Sequence, residues 1–533
     1  YIERVPELCV HCQLCVSMCC EMQGVGAVSD VREHARHGHG VVKPFRGCPL
    51  TSTECISCGQ CINVCPTGAL REVSEREAVM KDLRDPEKVT VVQFAPAVRI
   101  ALAEEFGCKP GERSLTNEMV AAVRRLGGKS FVFDTNFTAD LTIIEEGYEL
   151  LERLRRNLTQ EKKYGADDME IALPMVTSCS PGWVLFCEKN YHDLLPNLSS
   201  CKSPMQMSGA ITKHYWCKEL GIPPEKVSSV AVMPCVAKKA EKDRPEFSTN
   251  GVQDVDHVLT TRDFADLLKE HNIDPTQIEP EEFDNPYGIS TGAGLIFGAT
   301  GGVMEAAIRT AYEVVTGRSV PFKHLNVAPV RGMDGVKEAS LPLEHVLDEW
   351  SFLEGVELKV AVAHGTGNAR KLMDRVREAK ERGLPAPYHF IEVMGCPGGC
   401  LGGGGQPKPT LSDVLLCHHT VVLEPFWKAI AGSKGLLPLV HEKTPEQPNL
   451  LPAFFHLDPT LEAKGAFVKK PVRGRGGMNV TIHDNGGDDG HTPVSTTTGG
   501  AFADDVVVYQ GKCNLKRFDS YYPIFGAWVV GQR

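Results

Sequence analysis

Short β-branched runs alternate with helical stretches through the middle of the chain. Lys88-Val-Thr-Val-Val-Gln-Phe94 reads as a buried strand that stops at Ala95-Pro96, and Ser130-Phe-Val-Phe-Asp134 as a second. Between them Asn117 to Leu126 spaces its apolar residues as a helix does, and Thr142 to Leu158 is a longer, charged helix. Met175-Val-Thr-Ser178 and Val230-Ala-Val-Met233 read as further strand ends, Thr260 to Glu270 as a helix, and Leu358–His364 as a strand. Gly292 to Gly302 is a glycine-rich turn that opens a helix, Val303–Thr316. Such alternation predicts an α/β domain with a mainly parallel sheet, whose ligands bind beyond the carboxyl ends of the strands. Cys179 and Cys235 each follow one of those ends.

Tyr388–Met394 leads into a second glycine-rich stretch, Glu392-Val-Met-Gly-Cys-Pro-Gly-Gly-Cys-Leu-Gly-Gly-Gly-Gly-Gln-Pro407. Glycine lets a backbone come close to a bulky object. Two soft thiolates, Cys396 and Cys400, on such a loop point to a large inorganic cofactor. A structural zinc loop or two buried free cysteines are the alternatives at this point. The turn at 292–302 lacks the Lys-Ser/Thr of a phosphate loop and fits a dinucleotide fingerprint poorly, so it reads as close packing beside a cofactor.

The cysteine count decides between metals. Of twenty cysteines, ten fall in the first 65 residues. They form Cys9-x2-Cys12-x2-Cys15-x3-Cys19 and Cys55-x2-Cys58-x2-Cys61-x3-Cys65-Pro66, with Cys20 and Cys48 left over. The doubled run is the two-cluster ferredoxin signature, in which the fourth cysteine of each run ligates the other cluster. Cys9, Cys12, Cys15 and Cys65 are therefore assigned to one [4Fe–4S] cluster, and Cys55, Cys58, Cys61 and Cys19 to the second. Disulfides are not expected from such local clusters in so long a chain, which implies a reducing compartment. The 533 residues are enough for about three or four domains. A net charge of −11 without a long acidic run argues against nucleic acid or an anionic membrane as partner, and no apolar stretch is long enough to span a bilayer. The chain starts at Tyr1, so an upstream targeting segment remains open; the expected location is the cytoplasm or an anaerobic organelle.

Three segments, Thr177-Ser-Cys-Ser-Pro-Gly-Trp183, Met233-Pro-Cys-Val-Ala-Lys-Lys-Ala-Glu241 and Glu392 to Pro407, resemble the signature motifs of the [FeFe]-hydrogenases. With the ferredoxin module the resemblance covers about residues 1–410. It implies an α/β catalytic domain of two lobes with mainly parallel sheets, preceded by a ferredoxin-like α+β domain. It also implies an H-cluster, a [4Fe–4S] cubane joined to a two-iron subsite that carries CO, cyanide and an azadithiolate. Cys235, Cys396 and Cys400 match cubane ligands, and Cys400 the bridge to the subsite. Met233, Met394, Ala95, Pro96 and Phe297 match wall residues, and Lys238 and Ser203 match hydrogen-bond donors to the cofactor. Cys179, Glu146, Ser199, Glu149 and Arg153 match the family's proton path. Glu146, Glu149 and Arg153 share one helix face, which taken alone also suits a solvated charged face. The implied partners are H2 and protons, ferredoxin or another electron-carrier protein or subunit, and hydrogenase maturation proteins.

Two positions depart from the pattern. Ser180 stands where the family has the fourth cubane ligand, a cysteine, and serine is a harder ligand that deprotonates less readily. Ser180 coordinates as an alkoxide, or Cys179 takes over, or one iron is left more exposed. Met205 replaces a common glutamine. After about residue 412 the composition shifts. Leu423-Glu-Pro-Phe-Trp-Lys428, Val468-Lys-Lys-Pro-Val-Arg-Gly-Arg-Gly-Gly-Met-Asn-Val480 and Tyr522-Pro-Ile-Phe-Gly-Ala-Trp528 resemble part of glutathionylspermidine synthase, which implies a partial ATP-grasp-like α+β segment. There Lys434 and Lys470 match nucleotide-binding lysines, Gln510 lies near the expected adenine edge, and Gly476 after Arg475 departs from a usual Arg-Glu. The expected domains are a ferredoxin domain over 1–80, an H-cluster domain over 88–412 and the synthase-like segment over 415–533. The expected function is reversible H2 oxidation, with a non-catalytic iron–sulfur protein or H2 sensor as the alternative and an ATP-dependent ligase as a third reading.

Overall fold

A computed structural model describes residues 1–31, 41–44, 47–159, 172–322, 327–330, 333, 335–408, 434, 436–446, 451–472, 479–484, 494–499 and 506–512. The chain divides into two compact units, Tyr1–Lys408 and Pro409–Arg533. Arg475, Gly476 and the motifs Leu423–Lys428 and Tyr522–Trp528 lie outside the described residues.

In the first unit the elements that build the site are, in chain order, strands β1 (Val89–Phe94) and β2 (Ser130–Asp134), helix α1 (Thr135–Thr159) and strand β3 (Met175–Val176). Helices α2 (Pro181–Asn190) and α3 (Pro204–Ile211), strands β4 (Val227–Met233) and β5 (His257–Thr260), and helices α4 (Thr261–Glu270) and α5 (Gly302–Thr316) follow. Strands β6 (Ala328–Pro329), β7 (Val336–Pro342) and β8 (Glu357–His364), helix α6 (Thr366–Glu381) and strand β9 (Phe390–Met394) complete the set.

Two sheets result, one per lobe. The first has the order β5-β4-β1-β2 and is parallel throughout. Strands β1 and β4 are buried at every position, which is why they read as continuous apolar runs rather than alternating ones. The second has the order β6-β7-β8-β9-β3, with β8, β9 and β3 parallel and β6 and β7 added antiparallel at one edge. The edge strand β7 alternates exposure along Val-Lys-Glu-Ala-Ser-Leu-Pro, so its apolar signal is weak. Helix α1 is longer than the pattern predicted because Thr135 to Thr138 continue it over the end of β2. Helix α4 starts at a capping box, with Thr260 Oγ1 accepting from the Asp263 N–H and Asp263 from the Thr260 N–H.

At the N-terminus Ile2–Arg4 pairs antiparallel with Leu70–Glu72 and closes the cysteine-rich segment on itself. The second unit holds one antiparallel five-stranded sheet, in the order Ala453–Phe454, Val507–Gly511, Phe467–Pro471, Thr481–Asp484, Val494–Thr497. Among the described residues no helix is long and apolar enough to cross a membrane.

Candidate active site

Four parallel strands end at one place. Strand β1 runs into Ala95-Pro96, β3 into Cys179-Ser180, β4 into Pro234-Cys235 and β9 into Gly395-Cys396. These ends line one common cleft. Cys179, Ser180, Cys235, Cys396 and Cys400 all line it, and so do Lys238 and the apolar Ala95, Pro96, Met205, Met233, Phe297 and Met394. Thr135 and Ala139, on the first turns of α1, complete the wall and were not read from the sequence. Ser203 lies outside this wall: it caps α3 by accepting from the Gln206 N–H at 3.5 Å, and it faces a different cleft.

Residues that fit an iron–sulfur cofactor should be thiols around a space larger than one ion, and they are. Among the described residues no three His, Cys, Asp or Glu side chains close on a single metal ion. Burial pushes the Cys179 thiol well above its ordinary range and that of Cys400 to about 12. Cys396 donates toward Cys235, which holds Cys396 protonated and lowers Cys235. Thiols so desolvated become thiolates only when a cation is supplied. Ser180 Oγ lies on the wall and accepts from the Gly395 N–H at 3.1 Å, so its oxygen is oriented by the loop that carries Cys396. Lys238 Nζ is held by the Cys179 carbonyl at 3.0 Å and by Glu241 at 2.8 Å.

The glycine run packs mainly against protein. A Cβ on Gly403 would stand 2.2 Å from the Pro234 carbonyl oxygen, and one on Gly404 would stand 2.0 Å from that of Cys58. The loop is then tied to the ferredoxin module. Gln60 Nε2 donates to Gly402 O (2.7 Å), Asn63 Nδ2 to Gly403 O (2.9 Å) and Gln23 Nε2 to Gly395 O (2.9 Å). Arg262 joins both sides, donating to both oxygens of Glu72 at 2.9 Å and to Gly404 O at 2.7 Å. The second glycine-rich turn is answered in the same way. Glu392 is fully buried and accepts from the Gly301 and Met304 N–H groups at 2.7 Å each. The anion at the start of α5 is thus the protein's own carboxylate.

The ferredoxin-type cysteines surround two further cavities. One is lined by Cys9, Cys12, Cys15 and Cys65, the other by Cys19, Cys55, Cys58 and Cys61. In both runs the corresponding residues, His11 and Ser57, then Gln13 and Gly59, have positive φ, which curls the loop around its cavity. Backbone N–H groups already reach sulfur, from Ser57 to Cys55 (3.4 Å) and from Ala27 to Cys19 (3.3 Å). Cys58 is near enough to Cys396 to raise its pKa, so the second cavity adjoins the cleft.

The proton-path residues form a chain with one gap. Ser199 Oγ donates to Glu149 Oε2 at 2.9 Å, and Arg153 donates to Glu149 Oε1 through Nη2 at 2.7 Å. Glu146 is 1% exposed and neither of its carboxylate oxygens has a hydrogen-bond partner. Burial raises its pKa to about 7, with Glu149 and Glu392 adding to the rise and the nearby Ser199 hydroxyl and Ser178 N–H restraining it. After burial, Glu146 contributes most to the rise at Cys179, so the two groups are neighbours. Cys201 was also missed: its thiol donates to Glu149 Oε2 at 3.6 Å. In the second unit Lys470 Nζ donates to Gln510 Oε1 at 2.8 Å, and its pKa is lowered by burial and by Lys434.

Comparison with known proteins places this geometry. The model of the iron only hydrogenase large subunit, C-terminal domain, matches residues 88–404. A 4Fe-4S binding domain matches 51–71, and the glutathionylspermidine synthase preATP-grasp model matches 409–533. The NADP-reducing hydrogenase subunit HndD of Solidesulfovibrio fructosivorans is 50% identical over 422 residues, 79% of this chain and 67% of the relative. Cytosolic iron-sulfur assembly component 3 of Bos taurus is 30% identical over 382 residues, 69% of this chain and 74% of the relative. Apo [FeFe]-hydrogenase HydA1 from Chlamydomonas reinhardtii superposes with a TM-score of 0.55 at 41% identity, covering 63% of this chain and 86% of that one.

Proposed function

The chain belongs to the iron-only hydrogenase family, and we propose that it interconverts H2 with protons and electrons at an H-cluster. The observation that carries this reading is the cleft itself, where Cys235, Cys396, Cys400 and Ser180 stand beside Cys179 and near a buried, unpartnered Glu146. When bound, the cofactor supplies redox-active iron at which H2 is formed or split. Cys235, Cys396, Cys400 and Ser180 would hold it. Met233, Met394, Phe297, Ala95 and Pro96 keep water from it, and the Lys238 ammonium offers a positive charge to its anionic ligands. Cys179 exchanges protons with Glu146, whose pKa of about 7 lets it give or take a proton near neutrality. Ser199 and Glu149 continue the route. The two ferredoxin-type clusters, held by the two sets of four cysteines, would carry single electrons toward ferredoxin or a partner subunit.

The test is H2 evolution from a reduced one-electron donor by the protein after H-cluster maturation. Absence of H2 with full iron content rejects the reading. A second reading, a non-catalytic iron–sulfur protein, is favoured by Ser180 and by the assembly component among the relatives. Infrared bands of iron-bound CO and cyanide separate the two, since the second requires neither. At the fourth ligand, Ser180→Cys should leave iron content unchanged or raise it and shift the cubane's electron paramagnetic resonance. Cys179→Ser should leave that spectrum in place; if it abolishes the signal, Cys179 is the ligand.

A further inference from the structure

The proton route has to reach water, and Arg153 is badly placed to take it there. The side chain is 3% exposed. Its Nε and Nη2 donate to Glu149 Oε1, Nη2 also donates to Leu198 O (2.7 Å), and Nη1 donates to Ala172 O (2.8 Å) and Pro196 O (3.0 Å). A guanidinium has five N–H groups, no acceptor and no accessible neutral form in a protein. All five N–H groups are engaged, so Arg153 can hold Glu149 but cannot pass a proton on.

Glu149 has other neighbours. Ser199 Oγ, the Ser200 N–H at 3.1 Å and the Cys201 thiol all meet its Oε2. These three residues also line an open cleft of mixed polar and apolar character, with Ser178, Lys202 and Ser203 on its wall beside Val184 and Phe247. Ser200 is exposed. The cleft therefore reaches the last carboxylate of the route, itself 16% exposed, through the three lining residues that touch it, and it has room for water. Its two nearest cations are occupied, Lys202 by Asp254 and Arg244 by Glu188, so it is not a ready anion site.

We propose that protons pass between Glu149 and water through this cleft, with the Cys201 thiol as the connecting group and Arg153 as a positioning residue only. Outward transfer is an exchange at sulfur. Protonated Glu149 gives its O–H proton to Cys201 Sγ while the S–H proton leaves to a water of the cleft, so the thiol is restored and no electron moves. Inward transfer reverses both steps. No thiolate forms at any stage, in keeping with a thiol so buried beside carboxylates.

The inference rests on the proposed function for its place in catalysis, but the route belongs to these side chains and can be read without H2. Hydrogen–deuterium exchange at the protonated Glu146 carboxyl, followed by infrared after mixing the cluster-loaded full chain with D2O, reports it; Glu146→Gln identifies the band. Ser200→Tyr narrows the cleft beside Glu149 while keeping the backbone N–H, and Cys201→Ala removes the thiol. Each should slow exchange by about tenfold or more, and Cys201→Ser should restore most of the rate. Exchange at the parent rate in Ser200→Tyr overturns the cleft as the route, and parent-rate exchange in Cys201→Ala overturns the role of the thiol. A parent that makes no H2 yet shows this order of exchange rates rejects the catalytic reading and leaves the route standing.

Discussion

Glu146 and Glu392 are both buried carboxyls that desolvation pushes to about 7, but the structure treats them differently. Glu392 sits at the start of helix α5, where the Gly301 and Met304 N–H groups meet its two oxygens. Glu146 lies midway along helix α1 with both oxygens unmet. A buried carboxylate with fixed donors is a structural joint, because its charge is answered where it stands. One whose nearest donors, here the Ser199 hydroxyl and the Ser178 N–H, fall short of a formed hydrogen bond destabilises the fold whenever it is charged, and it changes charge near neutrality. That is a poor joint and a suitable proton carrier. The pair shows that a shifted pKa does not by itself mark a functional group; the hydrogen-bond inventory around it discriminates.

The same substitution at both positions is the strongest way to break this contrast. Glu146→Gln keeps the shape and removes the titration, so H2 turnover should fall by about 100-fold or more, while the fold should lose no stability and near pH 7 should gain up to about 3 kcal/mol because the cost of the buried charge is gone. Turnover at the parent rate would remove Glu146 from the route. A large loss of stability would make it a second joint.

Next in size is the pH dependence of stability. Both carboxyls have folded pKa values of about 7, above the 4.5 of the unfolded chain. Between those values the folded state binds more protons than the unfolded one, so stability falls as pH rises through the window. Each group can contribute up to about 3 kcal/mol. His257 slopes the same way over part of this range: burial opposes its protonation, but Glu75 and Asp82 outweigh that and raise its pKa. The difference between the parent and Glu146→Gln in urea unfolding, measured from pH 5 to 8, isolates the share of Glu146. Parallel curves would show that its pKa is not raised.

Third is Glu392→Gln. The two N–H donors meet different carboxylate oxygens, so the amide oxygen would answer one and the amide N–H2 would face the other. Measured at about pH 5 or below, where the titration contributes little, the expected cost is about 1–3 kcal/mol in unfolding free energy. Turnover should change less than in Glu146→Gln, because the wall residue Phe297 moves only as far as the turn before α5 relaxes. Equal losses of turnover in the two variants would erase the distinction.

How much of this was legible beforehand depends on the range of the signal. The strands ending at Ala95, Cys235 and Cys396 were readable because their burial is continuous and their ligands follow in the next residues. The ferredoxin runs were readable because cluster ligation fixes cysteine spacing. The role of Glu392 was not, since its partners lie at 301 and 304 and a lone Glu in an apolar strand carries no local mark. The glycines at 403 and 404 were expected to admit a cofactor, yet their missing Cβ atoms make room for Pro234 and Cys58. Composition shows that something comes close there, not what it is. Cys201 was passed over because a single cysteine two residues after Ser199 has no pattern; only its contact with Glu149 distinguishes it.

The smallest expected effect, and the sharpest for the contrast, is Ser199→Ala. Its hydroxyl bonds Glu149 Oε2 at 2.9 Å and lies close enough to Glu146 to hold that pKa down. Glu149 would still have the Ser200 N–H, the Cys201 thiol and two Arg153 N–H groups. One neutral donor is worth about 1 kcal/mol, so turnover should fall by less than about tenfold. With its restraint gone, Glu146 should titrate at higher pH, and the pH at which turnover becomes limited by its deprotonation should move upward. A pH profile of turnover in the variant reads both effects. If Ser199→Ala loses as much as Glu146→Gln, the hydroxyl is an obligatory carrier, and groups held by several hydrogen bonds take part in transfer as fully as the unpartnered one.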